Sequence, residues 1–253
     1  MTLRIERRDS LALLRLDKAR GNAIDDALAA DLGRAAEELS ADEGVRGVLL
    51  GSAHPKLFCP GLDLVSLVEH DREAMEAFML CFARSVWSLY GLRKPVVAAV
   101  NGAAVAGGCI LALTADYRVL RRGAPIGLNE VKVGVPLPWS VTLLLRASVP
   151  APALGRIALL GRNFSDEQAI AVGLADEVCE PERFEAACLE RLAEFADKDP
   201  LALGTTKAWL REGVLREMQA HEAEYLREFL DGWFAPATQQ RIRATVASLR
   251  SRG

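Results

Sequence analysis

Through the first half of the chain, apolar segments of strand length come in pairs, and each pair is followed by a segment with helical spacing. "LRIER" (3–7) and "LALLRL" (11–16) flank Asp9-Ser10 and read as a hairpin. A helix is expected from Asp26 to Leu39, where Leu28, Leu32, Ala35, Ala36 and Leu39 share a face and Asp25 can cap the start. "VRGVLLGSA" (45–53) and "FCPGLDL" (58–64) form the next pair, ahead of a longer helix over 72–90. "PVVAAV" (95–100) and "NGAAVA" (101–106) form the third, ahead of a short helix opened by Gly107-Gly108. "DYRVL" and "APIGL" continue the pairing. A strand–strand–helix unit recurring roughly every 50 residues is expected to stack as a spiral, with a generic α/β sheet as the alternative.

Beyond residue 138 the pattern turns almost wholly helical. Ser165 and Gln168 have capping-box spacing, and Gly173 falls where that helix should stop. Leu226, Phe229, Leu230, Trp233 and Phe234 form an apolar stripe at helical spacing, which is core or, on a peripheral tail, an interface. The expected division is a ββα core over residues 1–196 and a helical carboxy-terminal region over 197–253.

Composition removes several function classes. The net charge of −3 argues against a nucleic-acid surface, and no apolar run approaches the ~20 residues of a membrane span. The amino terminus has no apolar stretch of a secretory signal. Five cysteines without CxxC spacing fit a reducing compartment, read as cytoplasmic. The three histidines are scattered without metal-ligand spacing, so no metal site is expected. GxSxG, P-loop and GxGxxG motifs are absent.

What remains are three segments that could carry chemistry together. Glycine inside a helix costs about 0.5–1 kcal/mol against alanine, so something at the Gly107-Gly108 turn should require it. In "FCPGLD", Pro60-Gly61 forces a turn that can present the Leu62 N–H; in "AGGCI", the Gly107 N–H lies at a helix mouth. Two such amides converging on one point would make an oxyanion hole, although either glycine motif alone is equally a tight turn. In "APIGLNEVKVGVPLP" (124–138), strand alternation places Glu130 on the side of Ile126 and Leu128. That makes it either a buried general base or a carboxylate paired with Lys132 or an arginine.

These segments, in this order, together with "NAI" (22–24) and "SDEQAIAVGLADEV" (165–178), resemble the crotonase (enoyl-CoA hydratase/isomerase) superfamily over nearly the whole chain. The resemblance implies a crotonase-like spiral of ββα repeats, a helical carboxy-terminal trimerisation region and an acyl-CoA thioester substrate. It implies a homotrimer, or a hexamer built as a dimer of trimers, acting without nucleic acid, membrane or metal, and with no cofactor beyond the coenzyme A of the substrate. Leu62 and Gly107 are then the oxyanion-hole amides. Asn22, Ala23, Ile24, Phe58, Gly61 and Asp63 lie along the CoA path, and Ile110, Val135 and Leu137 line the acyl pocket. Lys18, Arg20, Lys56 or the carboxy-terminal arginines would meet the CoA phosphates. Hydratases of the superfamily use two glutamates; Glu130 matches one, and Ile110 stands where the other would be. The "GGCILALTADYRVL" and "IGLNEVKVGVPLP" segments look most like mitochondrial-type Δ3,Δ2-enoyl-CoA isomerases of fatty acid β-oxidation, with Glu130 as catalytic base. A hydratase, and more remotely a non-catalytic RNA-binding relative, are the alternatives.

Overall fold

The hairpin forms where alternation and the Asp9-Ser10 turn place it. Strands β1 (Leu3–Arg8) and β2 (Leu11–Leu16) pair antiparallel, with Asp9 at φ +53°. In this computed structural model, residues 2–19 and 21–251 are described; Arg20 and Arg252, two of the cations considered for phosphate contact, lie outside the described residues. Helix α1 (Asp26–Ala41) starts at Asp25, whose carboxylate accepts the Leu28 N–H at 3.0 Å. Its buried face is the expected one, Leu28, Leu32, Ala35, Ala36 and Leu39, with Ala29 added.

Thereafter the strands alternate between two sheets. β3 (Gly47–Ser52), β5 (Val96–Val100) and β7 (Tyr117–Arg121) extend the hairpin's sheet in parallel. β4 (Leu57–Cys59), β6 (Ala103–Val105) and β8 (Ile126–Gly127) build the other. Each pair leads into helix: α2 (Leu64–Leu67) and α3 (Arg72–Tyr90), then α4 (Gly107–Leu113), then α5 (Glu130–Val133) and α6 (Trp139–Ser148). A simple βαβ alternation would place successive strands in one sheet; here they step from sheet to sheet, so the units stack as a spiral. β3 and β5 are buried at every position, as parallel strands covered on both faces must be.

The helical second part is interrupted twice. β9 (Asn163–Phe164) closes the small sheet antiparallel to β8, and β10 (Glu177–Cys179) adds the last parallel strand of the large one. Between them, α7 (Asp166–Ala171) follows Ser165, but the Ser165 side chain makes no capping bond; Gly173 does end the turn, at φ +77°. Two long helices follow α8 (Phe184–Ala196): α9 (Pro200–Phe234) and α10 (Pro236–Arg250). At 35 residues, α9 spans roughly 50 Å. Two buried polar anchors hold it. Lys207 and Arg211 reach Asp116 at 2.6 and 2.7 Å, and Glu222 accepts the Ser140 N–H at 2.8 Å at the start of α6.

Of the two readings of the α9 stripe, core and interface, the structure bears out the first. Leu226, Phe229, Leu230 and Trp233 are 1–3% exposed within the single chain, and Phe234 is half-buried. The stripe therefore covers the core of its own chain rather than waiting for another copy.

Candidate active site

The glycine pair at the mouth of α4 is required by close approach. A Cβ on Gly108 would lie 2.0 Å from the Cys59 carbonyl oxygen, and one on Gly107 would lie 3.2 Å from the Gly61 Cα. Gly61 itself has φ +105°, open to glycine at little cost. The Pro60-Gly61 turn and the start of α4 are thus pressed together, and Leu62 follows directly. A one-rung parallel bridge fixes the turn from behind: Ile24 N–H donates to Gly61 O, and Asp63 N–H donates to Ile24 O, both at 2.8 Å. This pattern turns the Leu62 N–H the other way. Neither it nor the Gly107 N–H has an acceptor among the described hydrogen bonds, and α4 has no side-chain cap. Both residues line one cavity of about 1010 Å³.

Glu130 lines the same cavity, by a route the alternation did not suggest. β8 ends at Gly127, and Glu130 opens the helical turn α5, which closes at Gly134 with φ +84°. A glycine just past a helical turn is a stop signal, although in "EVKVGV" alternation equally fits it into a strand. Among the described residues no cation pairs with Glu130, and its Oε2 is buried without a hydrogen-bond partner, so the ion-pair alternative falls away. Burial pushes its carboxyl up to about 7, against the opposing pull of the Glu130 and Asn129 backbone amides. Cys109, just past the glycines, is wholly buried and held protonated by that burial and by Glu130.

The expected site residues divide between the cavity wall and the structure behind it. Ala23, Leu62, Asp63, Gly107, Ile110, Glu130 and Val135 are on the wall. Leu137 is not; Val133 and Pro138 take its place, because the α5 turn redirects the side chains after Glu130. Asn22, Ile24, Phe58 and Gly61 also sit behind the wall. Asn22, at φ +64° and fully buried, donates to Ser52 Oγ and Phe58 O, while Ile24 packs against Gly107. Lys18 is not free for a phosphate, since its ammonium binds Asp25 and Asp63. Lys56 is exposed and off the wall; Arg250 is on it, 3.8 Å from Glu69.

Much of the rest of the wall comes from three helices. Met79 and Phe82 come from α3, Phe229 and Trp233 from α9, and Thr245, Leu249 and Arg250 from α10. For the apolar ones the only sequence signal is helical spacing, which does not distinguish core from cavity; Thr245 carries no signal, and Arg250 is one of the carboxy-terminal arginines expected near the CoA phosphates. A second cavity of about 440 Å³, between β10 and α8, is lined by charges paired among themselves, including Arg183–Glu190 and Arg191–Glu177 at 3.1 Å. Among the described residues no His, Cys, Asp or Glu cluster could hold a metal, and no helix is long and apolar enough to cross a membrane.

The chain matches the family model "Enoyl-CoA hydratase/isomerase" over residues 6–236. It is 28% identical over 216 residues to the enoyl-CoA delta isomerase 1, mitochondrial, of Homo sapiens, covering 85% of this chain and 72% of that one. It is 29% identical over 227 residues to the carnitinyl-CoA dehydratase of Salmonella arizonae, covering 89% and 86%. The crystal structure of human mitochondrial delta3-delta2-enoyl-CoA isomerase superposes with a TM-score of 0.95 at 25% identity, covering 100% of this chain and 99% of that one.

Proposed function

The chain belongs to the enoyl-CoA hydratase/isomerase family, and from that premise we propose that it is a Δ3,Δ2-enoyl-CoA isomerase working with one carboxylate. One observation carries the reading. Of the two carboxylates on the cavity wall, Asp63 is engaged by Lys18 and the Ser66 N–H, which leaves Glu130 as the one available to substrate. Ile110, where a hydratase of the superfamily has its other glutamate, presents hydrocarbon.

In this reading the thioester oxygen of a 3-enoyl-CoA accepts hydrogen bonds from the Leu62 and Gly107 amides. Glu130 takes a proton from C2, acidified by the thioester and the adjacent double bond. The amides stabilise the dienolate, a contribution of a few kcal/mol per well-placed donor. Glu130 returns the proton to C4, giving the 2-trans-enoyl-CoA. A carboxyl titrating near 7 is suited to both transfers. The apolar wall from Met79, Phe82, Phe229 and Trp233 suits an acyl chain, and Arg250 suits a CoA phosphate. The named human isomerase is similar over nearly all of this chain, and the reaction fits fatty acid β-oxidation. The five unpaired cysteines support a reducing compartment, the cytoplasm in this reading.

The test is to supply purified protein with a 3-enoyl-CoA and, separately, a 2-enoyl-CoA, and to identify products by chromatography. Conversion of the first to the conjugated 2-enoyl-CoA, with hydration of the second at least about a hundredfold slower, is the expected result. Hydration as fast as isomerisation would replace the isomerase by a hydratase.

A further inference from the structure

We propose that Lys18 is a positioning residue for the oxyanion hole, clamping together the two backbone segments that aim the Leu62 amide. The proposal rests on the reading of Leu62 and Gly107 as the amides that hold a thioester oxygen.

The ammonium of Lys18 lies between the segment around Ala23 and the turn that carries Leu62. Its Nζ donates to Ala23 O at 2.6 Å and lies 2.7 Å from Asp25 Oδ2 and 3.3 Å from Asp63 Oδ2. Ala23 and Asp25 flank Ile24, the residue whose backbone makes both bonds of the bridge to Gly61 and Asp63. One cation therefore spans the same two segments as the bridge, beside Leu62. The base of the side chain is fixed as well: Lys18 N–H donates to Asn22 Oδ1 at 2.9 Å, and Asn22 Nδ2 donates to Phe58 O, in the strand that leads into Pro60-Gly61. Only 16% of the Lys18 side chain is exposed, so solvent screens the cluster weakly.

Removing the cation changes the sign of the interaction across the bridge. Asp25 and Asp63 would then be two carboxylates facing one another from opposite segments, and like charges repel in partly buried surroundings. Both are also helix caps, Asp25 for α1 and Asp63 for α2, so their backbones cannot simply retreat. The turn would relax away from Ile24, and the Leu62 N–H would lose its convergence with Gly107. Oxyanion stabilisation depends on donors fixed within a few tenths of an ångström, so the loss should fall on the reaction step rather than on CoA binding.

The decisive readout is the 13C resonance of a carbonyl-labelled 2-enoyl-CoA bound at saturation, which reports polarisation of the thioester oxygen without requiring turnover. In Lys18→Met this resonance should move back toward its free position, with kcat for isomerisation down about 10- to 100-fold and KM within about threefold. Lys18→Arg should restore part of both. Should Lys18→Met fail to fold, Asp63→Asn tests the same clamp: the amide can still cap α2 but no longer attracts the ammonium, and the carbonyl resonance should move in the same direction by less. An unchanged carbonyl resonance in whichever variant folds, or a KM increase with kcat intact, overturns the proposal. A wild type that polarises the carbonyl yet isomerises no 3-enoyl-CoA overturns the isomerase reading and leaves the clamp standing.

Discussion

At the scale of single residues, the proposed chemistry rests on Glu130 being surrounded rather than on its being acidic. Burial lifts its carboxyl to about 7, so it is protonated, and unable to act as a base, below that pH. The kcat/KM for isomerisation should therefore rise with pH through about 7 and then level off, as read from initial rates of conjugated product. Glu130→Gln keeps the shape but cannot accept the C2 proton, and should lower turnover by 10²–10⁴-fold while acyl-CoA binding stays near wild type. A variant retaining more than about a tenth of wild-type turnover would show that another group is the base. The same substitution has a stability signature of definite sign. Between the ordinary glutamate value near 4.5 and about 7, the unfolded chain has released this proton and the folded chain still holds it. Wild type thus loses stability relative to Glu130→Gln as pH rises across that window, measurable as a difference in Tm. Ile110→Glu places a second carboxylate in the apolar wall. It should raise the ratio of crotonyl-CoA hydration to isomerisation, with low absolute rates, since two carboxylates in one apolar wall perturb each other. Ile110 and Glu130 were both legible in the sequence as types and positions.

At the scale of elements, packing decided what local pattern left open. Asp25 and the 26–39 spacing specify α1 almost completely, because cap and apolar face agree. "NEVKVGV" fits a strand by alternation and a helical turn by its glycine; the turn forms, and it aims Glu130 into the cavity. Ser165 and Gln168 have the spacing of a capping box without its side-chain bond. In the sequence Gly108 is only a glycine out of place, and the reason, contact with Cys59 in β4, lies 49 residues away along the chain. Gly108→Ala should consequently displace α4 from β4 and abolish activity, with a loss of stability of about 2 kcal/mol or more in urea denaturation. On α9, Lys207→Met leaves the partly buried Asp116 with Arg211 as its remaining cation. Breaking part of such a cluster should cost about 2–4 kcal/mol, and an unchanged denaturation midpoint would refute its anchoring role.

At the scale of the whole molecule, α9 and α10 fold back over the chain's own cavity, supplying Phe229, Trp233, Thr245 and Leu249 to its wall. The Leu226–Phe234 stripe is taken up by the core of its own chain and offers little surface for self-association. Large apolar side chains stay exposed on the first half of α9 instead: Leu201, Trp209 and Leu210, at 73, 74 and 78%. They support the proposed homotrimer, or dimer of trimers, because a stable monomer seldom leaves so much apolar surface to water. Light scattering at micromolar concentration should give a trimeric or hexameric mass, and Trp209→Glu with Leu210→Glu should lower it. The sequence by itself determined the strand–strand–helix order, the caps, and the residues that carry charge or hydrocarbon at the site, because these follow from local spacing and side-chain chemistry. Only the tertiary structure decided that Leu62 and Gly107 lie on one cavity, that Asn22 and Lys18 are bonded to the chain segments around them, and that the α9 stripe turns inward. Those outcomes depend on which segments distant in sequence share a neighbour, and on the space left between them once both are packed.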